Sequence, residues 1–373
     1  MPEIHAARRA RAQEKLADRG VDAALITSLV NVRYLTGLAS SNAALLLPVA
    51  GSAVLATDSR YEETARRDAA DTELVSERFI APALASLAAA RGLIMVAFEA
   101  HVMTVEQHLE LASLDGGPTL VALGRVIEEL RTVKDETEIA LLARACAITD
   151  EAFAAALSAV VAGRTEREFA ILLEREMINR SAEALAFDSI VASGPNGAIP
   201  HHRPGDRPFA AGDLVTIDCG ARYGGYHADM TRTVALGEPA GWQREIYDLV
   251  ATAQRAGMAA ATVGADVADV DAAARGLIDE AGHGEHFQHG LGHGLGLEVH
   301  EAPTIGYGRT GTLGDRVPVT VEPGIYLPGR GGVRIEDTLV VRESPEGSGD
   351  NADAGADRSP ELLTTTTREL LVL

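Results

Sequence analysis

Cysteine is almost absent from this chain. Cys146 and Cys219 are the only two and show no metal-site spacing, so a disulfide framework and a thiolate zinc site are both excluded and free thiols are expected. Long apolar runs are missing too, and nothing approaches the roughly 18 residues of a membrane span. Residues 1–9 carry charge rather than an apolar signal stretch, which makes the cytoplasm the expected location. Lysine is scarce, with Lys15 and Lys134 the only two, and the formal net charge is −21. That balance argues against nucleic acid or an anionic membrane as a partner. What is present is ordinary for a soluble globular protein, 46% hydrophobic and 23% charged over 373 residues. The length exceeds a single core, so two domains are expected.

Residues 1–124 alternate strands and helices. A charged helix over 6–19 ends at Gly20, strands are predicted over 21–27, 43–48, 52–57, 93–98 and 119–122, and helices over 61–70, 81–90 and 104–113. Residues 31–37 read as a loop or turn. This is an α/β domain in which nothing clusters as a catalytic site. Residues 125–134 link it to a second domain, 135–373, with helices over 135–161, 166–179, 242–261 and 267–281. Strands fall between and after the helix pairs, the order expected of an internal duplication. Residues 343–360, rich in Gly, Ser, Asp and Ala, read as a flexible insertion, and 361–373 as a closing strand.

The stretch 215–234 organises the second domain. It reads as two strands turning at Gly224-Gly225, with Asp218 near the middle of the first and Asp229 near the middle of the second. Folding about the glycines would bring the two carboxylates onto one face, where like charges repel unless a cation lies between them. Three later residues could complete a cation site. His293 lies in the glycine-rich run 289–296, Glu322 ends the apolar strand 317–322, and Glu336 interrupts a strand over 332–342. A carboxylate in an apolar strand is costly unless paired or bound to metal. Taken singly, Asp218 is a turn acid, His293 a loop histidine and Glu322 a strand-end carboxylate. Asp229 and Glu336 could equally pair with Arg232 and Arg334. Together, four carboxylates and one imidazole suit two divalent ions such as Mn²⁺, Co²⁺ or Zn²⁺. Cys219 alternates away from Asp218 and is expected in the core, and Trp242 is expected to pack.

The segments 215–233, 289–303, 321–326 and 332–337 resemble the prolidase-like metallopeptidases of the pita-bread fold. That family includes methionine aminopeptidase, Xaa-Pro aminopeptidase and Xaa-Pro dipeptidase. Residues 31–37 and 57–61 resemble its creatinase-type N-terminal domain, which points to the proline-specific members. The resemblance implies an α/β N-terminal domain followed by an α+β pita-bread domain with a pseudo-twofold duplication. It implies two metals, with Mn²⁺ the first expectation, held by Asp218, Asp229, His293, Glu322 and Glu336. Asp229 and Glu336 would bridge them, and Glu322 would also shuttle the proton for a hydroxide between the metals. By the same resemblance His201 and His300 are catalytic histidines, with His202 the rival of His201, and His289, Arg334 and Tyr326 line the substrate pocket.

The substrate follows a physical logic. An Xaa-Pro bond has no N–H, so enzymes that read that donor handle it poorly, whereas metals can polarise its carbonyl directly. The first expectation is an Xaa-Pro aminopeptidase acting on peptides with proline second. The alternative is an Xaa-Pro dipeptidase, and a further one is a non-catalytic binding protein of the same fold, whose relatives break the ligand set. A homodimer is implied by the resemblance alone.

Overall fold

A computed structural model describes residues 2–343 and 360–373. The insertion read over 343–360 therefore lies almost wholly outside the described residues. The chain forms two compact units, Met1–Arg131 and Thr132–Leu373. The linking segment, expected as a helix or turn, holds the helix Val126–Thr132, whose Val126 and Ile127 are buried. No helix among the described residues is long and apolar enough to cross a membrane.

The first unit is built on a six-stranded mixed sheet, in the order Glu73–Ser76, Val54–Thr57, Ala43–Pro48, Ala23–Ile26, Met95–Phe98, Thr119–Ala122. The four strands from Val54–Thr57 to Met95–Phe98 are almost wholly buried, consistent with their unbroken apolar runs. Glu73–Ser76 escaped the sequence reading because it is a half-exposed edge without an apolar signature. Residues 31–37 are not a loop. They belong to the helix Leu29–Thr36, whose Ser28 side chain accepts from the Asn31 N–H and whose end is capped by Gly37 at φ 82°. The helix is short, and its buried Asn31 broke the apolar pattern. That side chain instead donates to Glu99 Oε1 at 2.6 Å.

The second unit repeats one plan. Helices Glu136–Ala156 and Glu166–Asn179 accompany a sheet ordered Met230–Ala235, Leu214–Cys219, Ile190–Ser193. Their shared core includes Phe153, Phe169, Leu173, Val215 and Ile217. Helices Gly241–Ala260 and Val267–Glu280 accompany a five-stranded sheet ordered Glu301–Ile305, Gly292–Gly294, Val317–Val321, Asp337–Val341, Glu361–Leu362. Ile246, Val250, Val270, Val319 and Leu339 fill that second core.

Two sequence expectations fail where these halves meet, and the failures shape the site. Asp218 pairs with Thr231, not with Asp229, and Asp229 precedes the second strand instead of occupying its middle. The ladder breaks because the backbone closes in at Gly220, where a Cβ would lie 1.9 Å from the Ala228 carbonyl oxygen. The Gly224-Gly225 turn consequently belongs to a separate small hairpin, Ala221–Tyr223 with Tyr226–His227. The expected strand over 332–342 is also divided. Gly331–Arg334 pairs with Gly324–Leu327, Asp337–Val341 pairs with Val317–Val321, and Glu336 sits in the gap. Finally, 361–373 holds only a two-residue strand, Glu361–Leu362, although Val372 bridges to Ala235 near the end.

Candidate metal centre

Breaks and glycines, not regular strand, deliver the acidic side chains. Glu336 enters the centre from the gap between two strands, its N–H donating to the Thr231 carbonyl at 3.1 Å. The Thr231 hydroxyl donates to Glu336 Oε2 at 2.6 Å. His293 stands between Gly292 and Gly294, where a Cβ would come within 2.0 Å of the Thr320 carbonyl oxygen and 2.1 Å of the Ala302 one. Glycine is therefore obligatory on both sides of this histidine. Its Nδ1–H donates to the Gly294 carbonyl at 3.1 Å, which leaves the Nε2 lone pair free for a cation.

One ligand atom from each of Asp229, His293 and Glu336 lies within 4.8 Å of the others. His293 Nε2 is also 3.4 Å from Glu322 Oε1 and 3.6 Å from Asp229 Oδ2. Asp218 is not one of that triad, and its Oδ2 accepts from Arg334 Nη2 at 2.7 Å. The two arginines that could have neutralised Asp229 and Glu336 are engaged elsewhere. Arg334 takes Asp218, and Arg232 takes Asp337 at 2.6 Å.

The electrostatics agree with a site built for cations. Burial pushes Asp229 and Glu336 well above the usual carboxylate range, and Glu336 and Glu322 respectively head the repulsions that add to it. Burial also pushes Glu322 up to about 8, against the pull of Arg334. Asp218 Oδ1 is buried with no hydrogen-bond partner. An acceptor desolvated without a donor costs about 1–3 kcal/mol, a penalty that a bound cation removes. The donor set thus fits hard or borderline divalent ions, with carboxylate oxygens in the majority.

Histidines and a tyrosine stand beside the acids. The His300 ring meets the His293 ring edge-on, centroids 4.4 Å apart. His289 Nδ1–H donates to the Gly290 carbonyl, so its Nε2 accepts from the Tyr326 hydroxyl at 2.9 Å, and that hydroxyl accepts from Arg334 Nη1 at 2.9 Å. Burial, then the Arg334 charge, lowers His289 to about 4, and burial, then His300, does the same for His293. Both imidazoles are neutral at physiological pH. His201 and His202 separate cleanly. His202 turns to Glu166 at 2.8 Å, while His201 is exposed. Cys219 lies in the core, fully buried, and Trp242 packs beneath Arg330 at 4.4 Å.

The metallopeptidase family M24 matches residues 140–343, and the creatinase/prolidase N-terminal domain matches residues 8–133. The chain belongs to the M24 metallopeptidases. It is 44% identical to the Xaa-Pro dipeptidase of Pyrococcus furiosus over 246 residues, 66% of this chain and 67% of that one. The Xaa-Pro dipeptidase structure from Bacillus anthracis superposes with a TM-score of 0.91 at 34% identity, covering 99% of this chain and 100% of the other. The X-Pro aminopeptidase from Thermotoga maritima reaches 0.87 at 34% identity, covering 98% and 99%. As an M24 member it is a metallopeptidase with a creatinase-type first unit and a pita-bread second unit.

Several residues of the centre left no mark in the sequence. Thr231 bridges Glu336 and Arg334, and Thr320 joins the His293 N–H at 3.1 Å to Glu322 at 3.2 Å. Isolated threonines carry no spacing signal. Asp271 and Arg275 did offer one, the i,i+4 step on a helix, and Arg275 holds the Phe287 and His289 carbonyls at 2.8 and 2.7 Å.

Proposed function

We propose that this M24 peptidase is an Xaa-Pro dipeptidase, cleaving the bond between a first residue and proline in a free dipeptide. The observation that carries the reading is the likeness over nearly the full chain to the Bacillus anthracis Xaa-Pro dipeptidase, supported by the Pyrococcus furiosus one. This reverses the order of preference drawn from the sequence, which placed the aminopeptidase first. That second reading keeps one specific support, the superposition of the Thermotoga maritima X-Pro aminopeptidase.

Asp218, Asp229, His293, Glu322 and Glu336 would hold the divalent ions, with Mn²⁺ the first expectation. When bound, such ions supply Lewis acidity toward the scissile carbonyl and acidify an attacking water. The protein's own groups do the rest. Glu322, beside His293 Nε2, takes the water proton as a carboxylate and returns it to the departing proline nitrogen. His300, stacked edge-on against His293, and the exposed His201 donate to the carbonyl oxygen as charge develops there. His289, held neutral against Tyr326, walls the pocket on the proline side, and Arg334 fixes that tyrosine. The family resemblance supports a homodimer, which sedimentation checks.

The test is hydrolysis of Ala-Pro against Ala-Pro-Ala with Mn²⁺ added, using Asp229→Asn as control. Cleavage of the dipeptide alone is the expected result. Efficient cleavage of the tripeptide returns the assignment to an aminopeptidase, and cleavage of neither by metal-loaded protein returns it to a binding protein of this fold.

A further inference from the structure

One buried carboxylate outside the acidic cluster is saturated with donors. Glu166, fully buried at the first position of the helix Glu166–Asn179, accepts on Oε1 from the Ser193 N–H at 2.8 Å, the Ser193 hydroxyl at 2.7 Å and Asn196 Nδ2 at 2.9 Å. On Oε2 it accepts from His202 Nε2 at 2.8 Å and the Gly205 N–H at 3.1 Å. All five donors come from one irregular segment, 193–205, and His201 lies inside it. Two further contacts complete its fixing. Arg334 Nη1 donates to the Pro200 carbonyl at 3.3 Å, and Arg207 Nη1 donates to the Ser193 hydroxyl at 2.6 Å.

We propose that Glu166 is a positioning residue for the peptidase reaction, holding the 193–205 segment so that His201 points at the scissile carbonyl. The inference rests on the role given to His201 above. The geometry is that of a clamp on adjacent residues. With Pro200 held by Arg334 and His202 held by Glu166, the imidazole between them has its backbone pinned on both sides. The imidazole itself is exposed and makes no hydrogen bond among the described residues. A glutamine cannot substitute, because its amide would present N–H groups to two of the five donors. Displacing a catalytic group by about 1 Å costs on the order of 10²-fold in rate.

The test is a double-mutant cycle of Glu166→Gln and His201→Ala, measured as kcat and KM on whichever of the two alanyl-proline peptides the protein cleaves, with hydrogen exchange over 193–205 as a second readout. Glu166→Gln alone is expected to lower kcat about tenfold or more, with KM little changed. Exchange should rise within 193–205 and not in the acidic strands. In the His201→Ala background the same substitution should change kcat less than about twofold, because the group it positions is gone. An equal loss in both backgrounds overturns the proposal and leaves Glu166 a purely structural residue. If His201→Ala by itself is as active as the wild type, the role of His201 fails and the proposal falls with it. Should Glu166→Gln not fold, His202→Leu removes only the bond nearest His201, and the same non-additivity is expected at smaller amplitude.

Discussion

The second unit holds two kinds of buried carboxylate, and they behave oppositely. Asp229, Glu322 and Glu336 are crowded together and pushed up by burial, and beside them Asp218 keeps an oxygen with no donor at all. Burial also pushes Glu166 up, yet the hydrogen bonds from Asn196, His202 and Ser193 outweigh it and bring Glu166 below the usual carboxylate range. Burial is common to both sets. The difference is the supply of donors, and it separates a site that waits for cations from a clamp that is complete in itself.

Removing charge from the two sets should therefore have opposite effects on stability. Asp229→Asn is expected to lower peptidase activity by at least about 10²-fold and to abolish Mn²⁺ binding in titration calorimetry. The same change should raise the melting temperature of the metal-free protein, because it relieves repulsion with Glu336 and Asp218. Glu166→Gln should lower that melting temperature. If both variants shifted it in the same direction, the contrast would be lost. A smaller effect tests the layer behind the ligands. Thr231→Val removes the hydroxyl shared by Glu336 and Arg334, and Mn²⁺ affinity is expected to fall about 10-fold.

Acid should distinguish the groups further. His289 has its folded value lowered from 6.5 to about 4, so its share of stability is complete above 6.5 and is lost as pH falls toward 4. Glu166, lowered from 4.5, contributes above 4.5 and is lost only as pH falls below it. In chemical denaturation of metal-free protein, His289→Gln should flatten the slope between these two histidine values by at most about 1.4 kcal/mol per pH unit. Glu166→Gln should flatten only the more acidic limb. Identical pH windows for the two variants would show that the assignment of burial and donors is wrong. The smallest effect belongs to Cys219→Ala, which should cost about 1 kcal/mol of stability and leave kcat within about twofold, because the thiol is packed into the apolar core and bonds to none of the acids.

Much of this was legible beforehand, for identifiable reasons. The helices Glu166–Asn179 and Val267–Glu280 announced themselves through apolar spacing and acidic or Asp-capped starts. The acids Asp218, Glu322 and Glu336 were conspicuous because they interrupt apolar strands. Register was not legible. Placing Asp229 opposite Asp218 assumed one continuous hairpin, and only the close backbone approach at Gly220 reveals the break. The same limit hid Glu166, whose position after Thr165 reads as an ordinary acidic helix start.

Composition, periodicity and the order of the acids and histidines were local properties of the chain, and they were enough to suggest two domains, a duplicated second unit and a set of candidate ligands, while the family resemblance of four segments supplied the chemistry. Which of His201 and His202 is held by Glu166, which arginine neutralises which aspartate, and which carboxylate is saturated with donors were decided by contacts between residues 27 to 116 positions apart. Such contacts leave no periodic trace, because a hydrogen bond formed across the fold imposes no spacing on the sequence between its ends.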